Sequence, residues 1–504
     1  MKTPIRIQPR DRRLSKNAPS VFDVEKAEIL SLTQPAPSRR RSHHSSQLKR
    51  LNDVTSWLLV FVVLAAPIPM ASNRPIFWML SAVTVGILAC LYFLLLGLSG
   101  SRLRHSPAEN PVLATGVLLY FGFLVIQILP IGSYFGGFAF YFPNEQVLYS
   151  NTLSLTPGAG ALTLLRTITY GFFFFLMLQV CSNRARAHQI AWSLFFGVTA
   201  HAIWGLLLYL ELIEKTFWGE KEYYIDVVTG TFINRNSFAT FLAFGLVLGT
   251  SLLNRKKSNW STNNRLGNLI QAESIKKYIL YLLLFIIFAT LLNTQSRMGI
   301  FAASIAVIFA LCAEWMKRDK SDRQTFLLII VGIIFAYACV TFFYGRGLVE
   351  RLIFVERAGD VRSALYAQVI DMIQMRPFLG YGMNSFELTF PLFHKVPVSL
   401  DLVWDKAHST YLTLWSEMGV VFGSLPLLMS SGVFVHQLKA LRNSNRDYAL
   451  SISALAVIIV AGIHSLVDFS LEIQANVFLF LAILALGLAK IQKPKSSPLQ
   501  DEVE

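Results

Sequence analysis

The chain has 504 residues, of which 54% are hydrophobic and only 15% are charged. Soluble globular domains contain about 25% charged residues, so this composition argues against a soluble protein. The net charge of +15 would suit a nucleic-acid partner, but the basic residues fall between apolar runs, where they are typical of topology signals. We therefore predict an all-α polytopic membrane protein that does not bind nucleic acid.

The chain divides into two polar tails and one long apolar domain. Residues 1–50 are rich in Arg, Ser and Pro, which predicts a disordered basic tail, and 491–504 form a second tail. Between them, 54–490 form the predicted transmembrane domain. Its apolar runs are long enough to cross a hydrocarbon core of about 30 Å. They predict twelve spans, near 54–71, 76–98, 111–131, 161–182, 188–212, 234–253, 277–294, 298–316, 324–344, 409–435, 449–466 and 475–490.

Basic residues are concentrated in alternate connections between these spans. One connection carries Arg184 and Arg186, and a later one carries Arg255, Lys256 and Lys257. Because cytoplasmic loops are enriched in Lys and Arg, this asymmetry predicts that both termini are cytoplasmic.

The longest connection, 345–408, then lies on the extracytoplasmic side and is too long for a simple turn. Within it, 361–375 predicts a helix, stopped by Pro377, whose apolar residues form one stripe: Val361, Leu365, Val369 and Ile373. Such a helix either lies on the membrane surface or caps the bundle. The aromatic segment 132–160 is also extracytoplasmic, and we expect it near the membrane interface.

His408 stands where the long loop meets a predicted span. In the first turn of a helix, the backbone N–H groups would disfavour imidazolium and keep the ring neutral. A neutral imidazole can accept a proton from a hydroxyl. Glu417 lies about half a helical turn away and need not touch it. The alternative is a loop histidine with no chemical role.

Two arginines and a polar segment lie on the same predicted side. Arg297, in a tight turn, and Arg362, at the start of the predicted amphipathic helix, are either interfacial side chains or a clamp for phosphate oxygens. Asn234, Arg235 and Asn236 stand at the mouth of a span, where they either cap the helix or bind sugar hydroxyls.

His464, Asp468 and Glu472 are spaced four apart, which on a helix places them on one face. We favour structural pairing over a metal site, because a metal needs more converging ligands than this spacing provides. The chain has no Gly-Lys-Ser/Thr phosphate loop. A transferase site outside the cytoplasm needs a donor that carries its own activation, and a polyprenyl pyrophosphate does so.

These motifs resemble the O-antigen ligase and polysaccharide polymerase superfamily of bacterial membrane enzymes. The segments that carry the resemblance are Gly230–Ala239, Ser296–Gly299, Arg362 with Pro377–Gly382, His408-Ser409 with Glu417 and Gly419, and His464–Phe469. Phe422 departs from the ligase pattern, so the resemblance leaves ligase and polymerase open.

The resemblance implies a GT-C-like helical glycosyltransferase of the bacterial inner membrane. It implies transfer of a glycan, with inversion and without a metal or other cofactor, from undecaprenyl pyrophosphate to a sugar hydroxyl of lipid A core or a growing polysaccharide. By this resemblance His408 is the base, and Arg297 and Arg362 hold the pyrophosphate. We assign substrate binding to Asn234, Arg235, Asn236, Glu417, His464 and Asp468.

Two other classes of function stay open. A flippase of the same lipid-linked glycan would suit twelve spans, but transporters usually show internal repeats and ionisable groups at the midplane, and we find neither pattern here. A non-catalytic scaffold for polysaccharide assembly partners predicts that substitutions at His408 and Arg297 are silent.

Overall fold

The computed structural model describes residues 39–489 except 144, 214, 222–223, 254–265, 318–345, 400, 402 and 444–447; it describes no side chains in 39–46, 266–274, 346–360 and at 443. The predicted span 324–344, the tail 491–504 and most of the tail 1–50 lie outside these residues. The chain separates into the units Met1–Arg50 and Leu51–Glu504.

The described residues are mostly helical. The helices are α1 Arg39–Ala65, α2 Pro75–Leu98, α3 Pro111–Ile128, α4 Pro157–Cys181, α5 Arg184–Tyr209, α6 Arg235–Leu253, α7 Leu266–Asn293, α8 Arg297–Lys317, α9 Arg346–Met375, α10 Phe386–Thr389, α11 Thr410–Gly423, α12 Leu425–Asn443, α13 Ala449–His464 and α14 Gln474–Leu488. Proline opens α2, α3 and α4, a position where its missing N–H would have had no helical partner.

Seven described helices are long and apolar enough to cross a membrane, or eight if α11 and α12 are counted as one bent span. The prediction of a polytopic, helical membrane protein is therefore confirmed. The helices α13 and α14 coincide with predicted spans but are shorter than these membrane-spanning helices. The count of twelve stays a prediction.

Helix α6 lies at the centre of the bundle. Every residue from Ser237 to Leu252 is buried, and α6 packs against α8, α13, α7 and α5. Its small residues permit this close packing: a Cβ added at Gly245 would stand 2.3 Å from Val198, and one at Gly249 would stand 2.2 Å from Phe195. The N-terminus of α6 carries the predicted polar segment Asn234–Asn236 into the middle of one end of the bundle.

The segment 132–160, which we expected near the membrane interface, contains two short strands that the sequence analysis did not predict. Strands β1 Phe138–Tyr141 and β2 Val147–Ser150 form an antiparallel hairpin, with Phe138 paired to Ser150 and Tyr141 to Val147. Aromatic and β-branched residues favour the extended backbone. Burial of aromatic side chains also stabilises the hairpin, because Phe140 and Phe142 join an apolar cluster with the predicted amphipathic helix.

That helix, α9, extends further towards the N-terminus than predicted and ends at Met375. Three residues of its apolar stripe, Leu365, Val369 and Ile373, are buried. They pack with Phe386 and Phe390 of the same long loop, and α9 also contacts α11. Of the two interpretations of this stripe, packing onto the bundle is therefore correct for these residues.

The predicted span 409–435 is not one continuous helix. The helices α11 and α12 meet at 68°, with Ser424 between them. Pro426 has no N–H to continue the hydrogen bonding of a single helix. Inside α11, Gly419 has φ 72° and ψ 165°, so the helix is also interrupted there.

Candidate active site

His408 lies immediately before α11, not in its first turn as predicted. Ser409 is the N-cap, whose hydroxyl accepts from the Leu412 N–H at 3.5 Å, and His408 has a left-handed backbone with φ 52°. The helix start is tied to the α13 end, because the Ser409 hydroxyl and the Thr410 N–H both donate to the Ser465 carbonyl, at 3.3 and 3.0 Å. Tertiary hydrogen bonds, rather than the helix, thus fix the backbone beside the histidine.

Aromatic side chains surround the half-buried His408 ring. The rings of Trp404 and Phe469 meet it edge-on, with centroids 5.8 and 5.3 Å away. The Tyr366 hydroxyl, from α9, donates to the His408 carbonyl at 3.0 Å. Within the described part of the chain, the buried Nδ1 atom of His408 has no hydrogen-bond partner. No described protein group therefore fixes which ring nitrogen of His408 carries the proton.

The prediction of a neutral ring is supported, but by a different cause. Burial lowers the pKa of His408, and the charge of Arg362 lowers it further, while Asp468, Asp405 and Glu472 oppose the shift. Since the histidine precedes the helix, the first-turn N–H groups are not needed to explain it. An imidazole with this pKa is neutral and able to accept a proton near pH 7.

The structure brings one of the two predicted arginines into the electrostatic surroundings of His408. Arg362 is exposed, and stands one helical turn before Tyr366 on α9. Arg297 is exposed at the first residue of α8 and is not among the groups that shift the pKa of His408. It nevertheless lies at the same end of the bundle as Asn236, because a Cβ at Gly299 would stand 2.7 Å from that of Ala239.

The segment Asn234–Asn236 is held by other protein groups. The Asn234 side chain accepts from the Asn236 N–H at 2.7 Å, which stabilises the start of α6. The Asn236 amide donates to the Asp468 carboxylate at 3.0 Å. The Arg235 guanidinium lies 5.6 Å from the ring centroid of Tyr224. Asn234 thus acts as a cap, and Asn236 joins α6 to the segment that follows α13.

The expectation that His464, Asp468 and Glu472 share a helix face is wrong. Helix α13 ends at His464, Asp468 follows the turn 465–467, and Glu472 ends a separate 3-10 turn that begins at Ser470. The helix stops because the Ser465 and Asp468 carbonyls accept instead from the Thr410 N–H, at 3.0 and 3.2 Å.

The side chains of His464 and Asp468 are both buried and have protein partners. The His464 Nδ1 lies 2.6 Å from the Thr240 hydroxyl, and the Asp468 carboxylate accepts from Asn236 and Ser470. These hydrogen bonds run to other residues and do not join His464 to Asp468, so the His–carboxylate pair that we favoured is not among the described contacts. Asp468 also supports the site indirectly, since its carbonyl accepts from both the N–H and the hydroxyl of Thr410.

Glu417 is buried, and other parts of the protein bond to its polar atoms. Its carboxylate accepts from the Phe386 N–H at 3.2 Å, and its carbonyl accepts from the Gly382 N–H and the Gln127 side chain, at 2.9 and 3.0 Å. The predicted turn at Gly380 and Gly382 packs directly against α11 here. The predicted substrate-binding role of Glu417 therefore does not fit, and its contacts are those of a residue that fixes the loop.

The structure adds a charge pair that the sequence analysis missed. Lys406, two residues before His408, lies 3.1 Å from the Glu472 carboxylate. Burial would lower the pKa of Lys406, but Glu472 and Glu417 outweigh it and raise the pKa above its usual value. Arg166 of α4 donates to the Glu472 carbonyl at 3.3 Å and covers the Trp78 ring. Sequence spacing gives no signal for this cluster, because its members come from separate segments.

The comparisons with known proteins agree with the motifs. Residues 282–426 match a family described as O-antigen ligase. The chain is also 22% identical over 342 residues to the General O-oligosaccharyltransferase of Acinetobacter baylyi, across 64% of this chain and 55% of that protein. The matching part thus spans about half the length of this relative. The resemblance to the O-antigen ligase superfamily is confirmed, and the matched family range includes Arg297, Arg362 and His408.

Proposed function

We propose that this protein transfers a glycan from undecaprenyl pyrophosphate to a hydroxyl of an acceptor sugar, at the membrane face that carries His408. The state of His408 supports this most directly. Its buried Nδ1 has no hydrogen-bond partner among the described residues, and burial lowers its pKa. A neutral imidazole suits a general base. The name of the relative from Acinetobacter baylyi, an O-oligosaccharyltransferase, supports transfer of an oligosaccharide to oxygen.

In the proposed step, His408 takes the proton of the acceptor hydroxyl while the oxygen attacks the anomeric carbon of the donor. The new C–O bond forms on one side of that carbon. The bond to the pyrophosphate oxygen breaks on the other side, and its electron pair leaves with the pyrophosphate. The configuration of the sugar therefore inverts, and the products are the transferred glycan and undecaprenyl pyrophosphate. General-base catalysis contributes about 10²–10⁴ in rate.

Arg362 and Arg297 are proposed to hold the departing pyrophosphate. The charge of Arg362 reaches His408, and its exposed guanidinium is free of the packing that holds Arg376 over Phe140. Arginine presents a planar set of donors that fits two phosphate oxygens, and such donors stabilise charge as it develops on a leaving group. Arg297 stands exposed at the helix N-terminus of α8, a position that also favours anions.

We further propose that the site faces the periplasm of the bacterial inner membrane and that both termini are cytoplasmic. The support is the distribution of Lys and Arg along the sequence. The acceptor is lipid A core or a growing polysaccharide, which makes the reaction a ligation or a polymerisation. Chemical analysis of lipopolysaccharide and exopolysaccharide from a deletion strain distinguishes the two, since lost ligation leaves bare core and lost polymerisation leaves single repeat units.

The test of the base is the His408→Ala variant, expressed in the deletion strain. We expect surface polysaccharide to fall by a factor of about 10²–10⁴ in the initial rate of formation. His436→Ala is the matched control, because His436 is exposed on α12. Membrane abundance of both variants is measured by immunoblot. If His408→Ala forms polymer at the rate of His436→Ala, His408 is not the base.

A further inference from the structure

A cavity of about 260 Å³ opens beside the polar segment that begins α6. Its walls come from the chain before α2, from the 216–221 loop and from Thr229–Ile233. Thr229–Ile233 leads directly into Asn234–Asn236, and Asn236 binds Asp468, whose carbonyl accepts from Thr410. The cavity is thus adjacent in structure to the segment that supports His408, but His408 does not line it.

The chemistry of the cavity wall combines aromatic, hydroxyl and cationic groups. Phe217 and Trp218 are both about half exposed. A neighbouring group holds each ring in place. Phe217 stacks on Trp204 with ring centroids 4.5 Å apart, and the Trp218 indole donates to the Ile68 carbonyl at 2.7 Å. Exposed rings that are held in place offer a flat apolar surface, which matches the apolar face of a sugar ring.

One hydroxyl in the wall lacks a protein partner. Thr231 is 8% exposed, and its Oγ1 atom has no hydrogen-bond partner among the described residues. A buried hydroxyl without a partner is unfavourable by about 1–3 kcal/mol, so most such groups are satisfied by a ligand or water. A bound sugar hydroxyl can fill this role.

Two cations and one acid line the same cavity. Arg74 is exposed, and the Lys221 ammonium donates to the Val227 carbonyl at 2.5 Å, which leaves it further donors. Glu220 is the acid, and its carboxylate can accept from sugar hydroxyls. The charge of Asp226 acts on Lys221, so the fork of donors on Arg74 is the group that favours a ligand with a carboxylate.

We propose that this cavity binds one carboxylate-bearing sugar residue, of the uronic acid class, within the glycan that the protein transfers. Its volume is slightly below the roughly 300–1,000 Å³ of sites for drug-sized ligands, which suits a single ring. A phosphate headgroup of a membrane lipid shares the negative charge but offers no ring for Phe217 and Trp218. The identity of the glycan as substrate rests on the proposed function, whereas binding of the sugar does not.

The test is saturation-transfer NMR with D-glucuronate, using the full chain in nanodiscs. We expect glucuronate to receive saturation, and D-glucose and glycerol phosphate to receive much less. Arg74→Gln should weaken glucuronate binding by about 10–100-fold, since a hydrogen bond to a charged group is lost. Thr231→Val keeps the volume and should weaken it less. Arg102→Gln is the control, because Arg102 is an exposed arginine that does not line the cavity.

Three results would overturn this assignment: no saturation of glucuronate, equal saturation of glucose, or equal saturation of glycerol phosphate, which would indicate a lipid headgroup site. His408→Ala separates the two proposals, because it should bind glucuronate like the parent protein while losing transfer. If the parent protein binds glucuronate and the His408→Ala variant retains transfer, the role of His408 as the base is refuted but the sugar site is not. If His408→Ala loses transfer and the parent protein does not bind glucuronate, the sugar site is refuted but the role of His408 is not.

Discussion

Gly419 is the residue whose replacement should most clearly separate the fold of α11 from its chemistry. Its φ of 72° and ψ of 165° belong to a region that is essentially restricted to glycine, where another residue costs about 1–3 kcal/mol. A Cβ at this position would also stand 2.3 Å from the Phe378 carbonyl carbon and oxygen. These are backbone atoms, so relief requires movement of the Pro377–Gly382 turn, and overpacking of this kind costs about 1–3 kcal/mol.

Gly419→Ala should therefore destabilise the protein by about 2–6 kcal/mol. The measurement is thermal unfolding of purified protein in one detergent, followed by tryptophan fluorescence. Gly432→Ala is the matched control, because a Cβ at Gly432 has no neighbour within 4 Å and lies inside α12. Alanine is favoured over glycine in a helix by about 0.5–1 kcal/mol, so the control should be unchanged or slightly stabilised. Equal unfolding temperatures for Gly419→Ala and the parent would refute the tight contact between the turn and α11.

Two further predictions concern charges at the site. The 3.1 Å contact of Lys406 with Glu472 corresponds to about 5 kcal/mol of attraction at an effective dielectric constant of about 20, largely offset by desolvation. Lys406→Met should lower the free energy of unfolding by about 2–4 kcal/mol, measured by thermal unfolding. The double variant Lys406→Met/Glu472→Met should lose less stability than the sum of the two single variants. Strictly additive losses would contradict coupling between the two residues. The second prediction concerns pH. In the proposed mechanism the neutral form of His408 is the base, and because its pKa is lowered, kcat/KM should fall on the acid side only below pH 6.5. Arg362→Gln removes a charge that lowers this pKa and should move the acid limb to higher pH, whereas Arg362→Lys should not; identical profiles for both variants would show that the charge has no such effect.

The helices were the most predictable part of the fold. Long apolar runs indicated those elements, and the observed starts of α2, α3 and α4 lie within a few residues of the predicted ones. The hairpin at 138–150 was missed because aromatic residues near a membrane suit an interfacial segment as well as a strand. Its burial against Tyr381 and Phe393, which the hairpin sequence does not contain, is what distinguishes the two.

The site was predictable in its members but not in its arrangement. A spacing of four residues suggested a common helix face for His464 and Asp468. That inference failed because Thr410, from a distant segment, takes the carbonyls of Ser465 and Asp468. Residue spacing describes only the contacts that residues make within one helix. Here the carbonyl groups bond instead to a residue from another segment of the chain, and such tertiary contacts override local preference. The contact between Lys406 and Glu472 was missed for a related reason, since a pair between loops has no periodic signature.

The position of His408 before the helix changes how its chemistry is controlled. The Tyr366 hydroxyl holds its carbonyl, Ser409 and Thr410 are bound to the end of α13, and Phe469 and Trp404 flank its ring. The ring orientation is therefore set by α9, α11 and the segment after α13 together. A base inside a helix would move with that helix, but this one keeps its place only while all three segments stay packed. Packing at Gly419 and the Lys406–Glu472 contact should consequently affect the transfer rate through the position of His408, with no contact between either feature and the reacting atoms.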